Sequence, residues 1–196
     1  MALRRRTMVK LWLGAGMVAG LGGLAWLAER RIELGPTDGA GFYRVPWPFP
    51  DDAWPPGRAW TGNDLDVYVR LKRDICSDCE GGVVTDEAVD RAVDIDYLDP
   101  RLAPVGPGGR VRITDLFGRS RLYRHKMRYG ALRWAEGIVV SHNCDLIVAI
   151  VDGNMADPAK RKVAHRFLES NTVQVWVNKQ LEGRLIGDTP AAPQAR

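Results

Sequence analysis

The sequence predicts an α+β domain: a small, mainly antiparallel sheet with two short helices. An N-terminal membrane or signal helix and a Pro/Trp-rich linker precede it. Three observations lead there. Apolar residues recur with a period of two in several segments separated by turn residues, two other stretches carry capped helical periodicity, and the start of the chain differs in composition from the rest.

The 196 residues suit one domain with appendages, and the formal charge of +4 is unevenly spread. Arg4, Arg5, Arg6 and Lys10 are the charged residues of the first 25 positions. The remaining 24 Lys+Arg balance 24 Asp+Glu, so the basic balance belongs to the leader and argues against a nucleic-acid binder. Leu11–Ala28 follows without a charge, at the lower limit for a bilayer-spanning helix. Four Lys/Arg before it and Arg30 and Arg31 after it orient the N-terminus toward the cytoplasm and the rest outward. The expected organisation is therefore 1–34 as export signal or anchor (helix about 11–28), 35–62 as linker, 63–186 as a periplasmic α+β domain and 187–196 as a disordered tail.

Arg5-Arg6-Thr7-Met8-Val9-Lys10 resembles the twin-arginine export signal, with Arg4 where Ser or Thr is usual and Met8 in place of Phe. Gly14, Gly16, Gly20, Gly22 and Gly23 keep the apolar core only moderately hydrophobic, as such leaders are. A plain signal anchor or a general-secretion leader is the alternative. Gly23-Leu24-Ala25 offers a small-x-small cleavage site that would release a soluble periplasmic product. Retention in the bacterial inner membrane as a single-pass anchor is the reading adopted. Gly14, Gly16 and Ala19 imitate a dinucleotide fingerprint, but the following helix would be apolar all round and no second βα unit follows.

Between Gly35 and Trp60, six prolines and Trp47, Trp54 and Trp60 predict an extended linker whose aromatics pack on the domain. "DLDVYVRLK" alternates, with Leu65, Val67, Val69 and Leu71 inward and Asp66, Tyr68, Arg70 and Lys72 outward, predicting a half-buried strand. "TDEAVDRAVDI" predicts a helix capped by Thr85 or Asp86, with Ala88, Val89, Ala92 and Val93 as its stripe. Strands are expected over 110–116, 120–129 and 137–151, the last broken near Asn143, with turns at Phe117-Gly118 and Tyr129-Gly130. The unbroken run "LIVAIV" should be central in the sheet, which helices cover on one face. Asp157 and Pro158 open a second helix that buries Val163, Ala164, Phe167 and Leu168. "NTVQVWVNKQL" reads as a closing strand with Val173, Val175 and Val177 inward.

Cys76, Cys79 and Cys144 are the three cysteines; outside the cytoplasm two of them are expected to form a structural disulfide. A second reading joins Cys76-x2-Cys79 to His142-x-Cys144 as a Cys3His site for zinc, copper or an iron–sulfur centre, or a thiol-active pair. No cofactor is favoured over the disulfide. Arg119, Arg121, Arg124, Lys126, Arg128 and Arg133 form a basic constellation, with Arg124, Lys126 and Arg128 on one strand face as a surface suited to anionic headgroups, or else a solvated face paired with Asp86, Glu87, Asp90, Asp94, Asp96 and Asp99. The pairing is preferred, because the exported part has no net charge. Asp94, Asp96 and Asp99 lack the glycine and glutamate of a calcium loop. His125, His142 and His165 meet no nucleophile motif, and His165 is read as a surface residue, so an enzyme is not expected. The functional expectation is a membrane-anchored periplasmic accessory protein that contacts a membrane-associated or periplasmic protein, with the metal- or thiol-active protein as alternative.

Overall fold

The computed structural model describes residues 39–50, 52–73, 85–143 and 145–187, with side chains through residue 182. The export signal (Arg5, Arg6), the apolar segment, all three cysteines and the tail lie outside them. Among the described residues no helix is long and apolar enough to cross a membrane.

Alternating segments become β1 (Tyr43–Val45), β2 (Arg58–Gly62), β3 (Leu65–Arg73), β4 (Ala103–Pro104), β5 (Gly109–Ile113), β6 (Leu116–Lys126), β7 (Leu132–His142) and β8 (Asp145–Asp152). The helices are α1 (Asp86–Ala92), α2 (Ile95–Leu98), α3 (Pro158–Leu168) and α4 (Asn171–Gly187). The described residues form an α+β domain, with eight strands and four helices among them where two short helices were expected. All strand pairs are antiparallel, in the order β1-β2-β3-β8-β7-β6-β4, with β5 beside β4 on the edge of β6. The apolar strand β8 sits in the middle, as its sequence predicted. β1 and β2 come from the stretch expected to be a linker (35–62), β1 as the edge strand and β2 between it and β3. The prolines of that stretch lie outside both strands, which keep their N–H donors.

Two differences share a cause. Helices cover both faces of the sheet, not one. α3 and α4 pack on Leu65, Val67, Val69, Ile147, Ala149, Val151, Ile138 and Val140. On the other face, Val89, Ala92, Val93 and Ile95 of the α1–α2 region pack on Ala135, Val139, Val148 and Ile150. Arg70 and Lys72, expected to point into solvent, are therefore 4% and 6% exposed. The segment expected to close the sheet as a strand is instead α4. Val173, Trp176, Val177 and Leu181 are buried at helical spacing, while Val175 is 66% exposed. A strand would have pointed Trp176 away from the three valines; the helix sets it edge-on to Trp60, with centroids 6.1 Å apart. Burying that indole outweighs the weak strand preference of the valines.

The caps follow the sequence. Thr85 Oγ1 accepts from the Ala88 N–H at 3.2 Å, and Asp157 Oδ1 accepts from the Ala159 N–H at 2.8 Å. The expected turn at Phe117-Gly118 lies inside β6; the chain reverses instead at Thr114–Asp115. Gly118 is needed there for closeness, because a Cβ would come within 2.0 Å of the Val139 carbonyl oxygen. The second expected turn does form, with Gly130 at φ +82. Asn143, at φ 54, breaks β7 from β8 where the sequence placed the break.

Candidate functional site

α3 and its C-cap carry Arg161, Lys162, His165, Arg166 and the cap residue Glu169 on one side and Ala164, Phe167 and Leu168, all buried, on the other. The spacing i, i+1, i+4, i+5, i+8 lines up the polar set as a stripe. Phe42 stacks on Phe167 with centroids 4.0 Å apart, holding the helix to the sheet. The polar stripe then faces the β5 edge across an open groove of about 810 Å3. One wall is Pro107–Arg112, the other is α3 with its C-cap Glu169, and Ser120, Leu122 and Glu136 also line it.

Five cationic side chains line this groove (Arg110, Arg112, Arg161, Lys162 and Arg166) against two carboxylates, Glu136 and Glu169. Register places Glu136 opposite Leu122, so both point to the α3 side of the sheet. Glu136 is 2% exposed, and its Oε2 and Oε1 lie 3.2 and 3.3 Å from His165 Nε2. His165 is thus half-buried and bonded, not a free surface residue. Arg112 pairs with Asp115 at 2.9 Å and stacks over Phe117. Arg110, Arg161, Lys162 and Arg166 make no ion pair among the described residues. Chemically, the arrangement is a positively charged trough with one buried, histidine-bonded acid in its lining.

The acidic cluster resides elsewhere, with Asp86, Asp90, Asp94 and Asp99 paired and Glu87 and Asp96 exposed. Asp86 accepts from Arg119 and the Gly108 N–H, which hold it below the usual carboxylate range. Asp90 accepts from Arg121 and from the Tyr123 hydroxyl. Asp99 binds Arg101 at 2.9 Å, whose hydrogen bonds hold it well below that range, and also meets Arg133. Asp94 binds Lys72 at 2.5 Å and Arg70 at 3.1 Å. Burial opposes ionisation of Asp52, but the Arg70 guanidinium at 2.7 Å and the hydrogen bonds from the Trp54 N–H and the Tyr97 hydroxyl together hold its carboxyl low. Trp47 and Trp54, from the stretch read as linker, lie 5.9 Å from the Arg70 guanidinium and the Lys72 ammonium. This cluster is closed and structural.

The expected pairing of the basic constellation with that cluster therefore holds in part: Arg119, Arg121 and Arg133 meet Asp86, Asp90 and Asp99, and the strand face of Arg124, Lys126 and Arg128 does not. Arg124 rests over Trp134 at 5.3 Å, and Lys126 and Arg128 make no ion pair among the described residues. Arg124 and Lys126 lie in β6, while Arg128 is in the β6–β7 turn. His142 ends β7, and register sets Arg73 opposite Asp145. β3 thus ends beside the start of β8; Cys76, Cys79 and Cys144 lie outside the described residues. No group of three metal-ligating side chains occurs among the described residues.

Sequence reasoning missed the groove. Its signals in the sequence were the basic stripe of the helix opened by Asp157 and an acid, Glu136, in the otherwise apolar run "AEGIVV", where an unpaired charge is costly. No family model and no curated protein matches the chain.

Proposed function

We propose that this is an exported, inner-membrane-anchored accessory protein that holds an acidic, extended segment of a membrane-associated or periplasmic partner in the groove between β5 and α3. The observation that carries the reading is the set of cations there. In a domain that pairs most of its buried and half-buried charge internally, Arg110, Arg161, Lys162 and Arg166 converge on one trough and make no ion pair among the described residues, although Glu136 and Glu169 also line it. β5 supports an extended occupant, because it bonds only to β6 and leaves its outer backbone edge open among the described residues. Rim cations of this kind steer and orient an acidic partner more than they add affinity. The export half of the proposal rests on the arginine-rich flank and the apolar segment Leu11–Ala28. A C-terminal alkaline phosphatase fusion tests that half: it should be active, and Arg5→Lys with Arg6→Lys should abolish activity if the twin-arginine route is used. An inactive fusion beside an active cytoplasmic reporter contradicts export.

A second reading is kept for one observation, the register that brings the exit of β3 next to the β7–β8 turn. From Arg73 the chain needs three residues to reach Cys76, a span of at most about 10 Å. That supports a Cys76–Cys144 disulfide, or, as a metal- or thiol-active alternative, a cluster of Cys76, Cys79, Cys144 and His142.

A further inference from the structure

We infer that the tip of the β6–β7 hairpin is a docking surface for an anionic lipid bilayer. Residues 116–135 contain no acid, and the hairpin's end concentrates what an interface with such a surface needs. Tyr129 is 98% exposed, with Met127 at 48% and Leu132 at 47%. Lys126 and Arg128 flank Met127 and have no acidic partner among the described residues, and Arg124 stands one turn of the pleat behind, on Trp134. The tip is held in shape by the Met127 N–H donating to the Ala131 carbonyl at 2.8 Å and the Gly130 N–H to the Met127 carbonyl at 3.0 Å. A rigid loop with an aromatic apex and flanking cations places the ring at headgroup depth and the charges on phosphates.

Topology aims the tip. The last rung between β7 and β8 is Ala135 to Asp152, whereas β6 and β7 continue to the rung Lys126 to Leu132, so the hairpin projects past the body of the sheet. The rungs Tyr43 to Thr61, Thr61 to Asp66 and Asp66 to Asp152 put the start of β1 at that same end. The chain therefore enters the domain at the end from which the hairpin protrudes. Ten residues, 29–38, separate the apolar segment from residue 39, a reach of at most about 35 Å. An anchor at Leu11–Ala28 keeps this end toward the bilayer; this orientation rests on the anchor reading, while the contact chemistry does not.

Hydrogen exchange on the full chain, reconstituted in vesicles, tests the inference. Amides 127–131 should exchange about tenfold more slowly on phosphatidylglycerol-containing vesicles than on pure phosphatidylcholine. About 0.5 M salt should abolish the difference, since screening then acts within a few ångströms. Lys126→Ser with Arg128→Ser should also abolish it, each cation near such a surface being worth a factor of about five. Met127→Ser with Tyr129→Ser should weaken it and leave the salt dependence. Equal exchange on both lipids overturns the inference, as does lipid-dependent protection that survives loss of both cations. If the chain washes off phosphatidylcholine vesicles at high pH, the anchor reading fails. The inference then predicts flotation with anionic vesicles only, and no flotation overturns it.

Discussion

Asp94→Ala is expected to destabilise the domain by about 3–5 kcal/mol, the cost of leaving buried charge without its counter-ion. Lys72 and Arg70 are almost wholly buried and share Asp94, at 2.5 and 3.1 Å. Arg70 would keep Asp52 at 2.7 Å, but Lys72 would be left with the Trp54 ring at 5.9 Å. Asp94 makes no side-chain cap bond to α2, so the loss would not be a capping effect. Replacing both partners, Lys72→Met with Asp94→Leu, should recover most of the loss, because apolar side chains of similar volume need no counter-charge. Urea denaturation followed by circular dichroism measures both. A loss below about 1 kcal/mol for the single change would mean that water reaches Lys72 and the cluster is not closed.

Cys144→Ser is expected to cost about 4–5 kcal/mol under oxidising conditions, if the 76–144 cross-link closes its long loop. Cys79→Ser should cost far less, and reductant should bring the wild-type melting curve onto that of Cys144→Ser. His142→Ala should be nearly silent, since the ring would have no part in a disulfide. A metal site makes the opposite demand: all three cysteines and His142 are then needed together, and His142→Ala is as damaging as any cysteine change. A His142→Ala variant as unstable as Cys144→Ser contradicts the disulfide.

Local chemistry was readable from the sequence wherever a single segment decides its own structure. Thr85 and Asp157 mark two helix starts, Gly130 and Asn143 mark two reversals, and the run Leu146–Val151 marks the sheet centre. What the sequence hid was set by distant partners. α4 alternates like a strand because Val175 happens to be apolar, and only the burial of Trp176 against Trp60 reveals the helical face. Arg70 and Lys72 looked solvent-facing because their counter-ions lie about 20 residues away, in Asp52 and Asp94. The groove is the extreme case. The basic stripe of α3 was visible, but nothing in the sequence sets it beside β5, about 50 residues upstream, or brings Glu136 under His165.

The central claim is that the trough between β5 and α3 binds an extended acidic segment. Its most direct measurement is a calorimetric titration of the full chain, in lipid nanodiscs, with a ten-residue glutamate peptide and its glutamine counterpart. The glutamate peptide should bind, with affinity falling as salt rises, and the glutamine peptide should not. Arg161→Glu with Arg166→Glu should weaken binding by about tenfold or more, from two lost cations worth about 0.5–1 kcal/mol each and the added repulsion. Lys126→Ser with Arg128→Ser, at the far hairpin, should leave it unchanged. Equal affinity for both peptides, or an undiminished affinity in the Arg161→Glu, Arg166→Glu chain, would contradict the account.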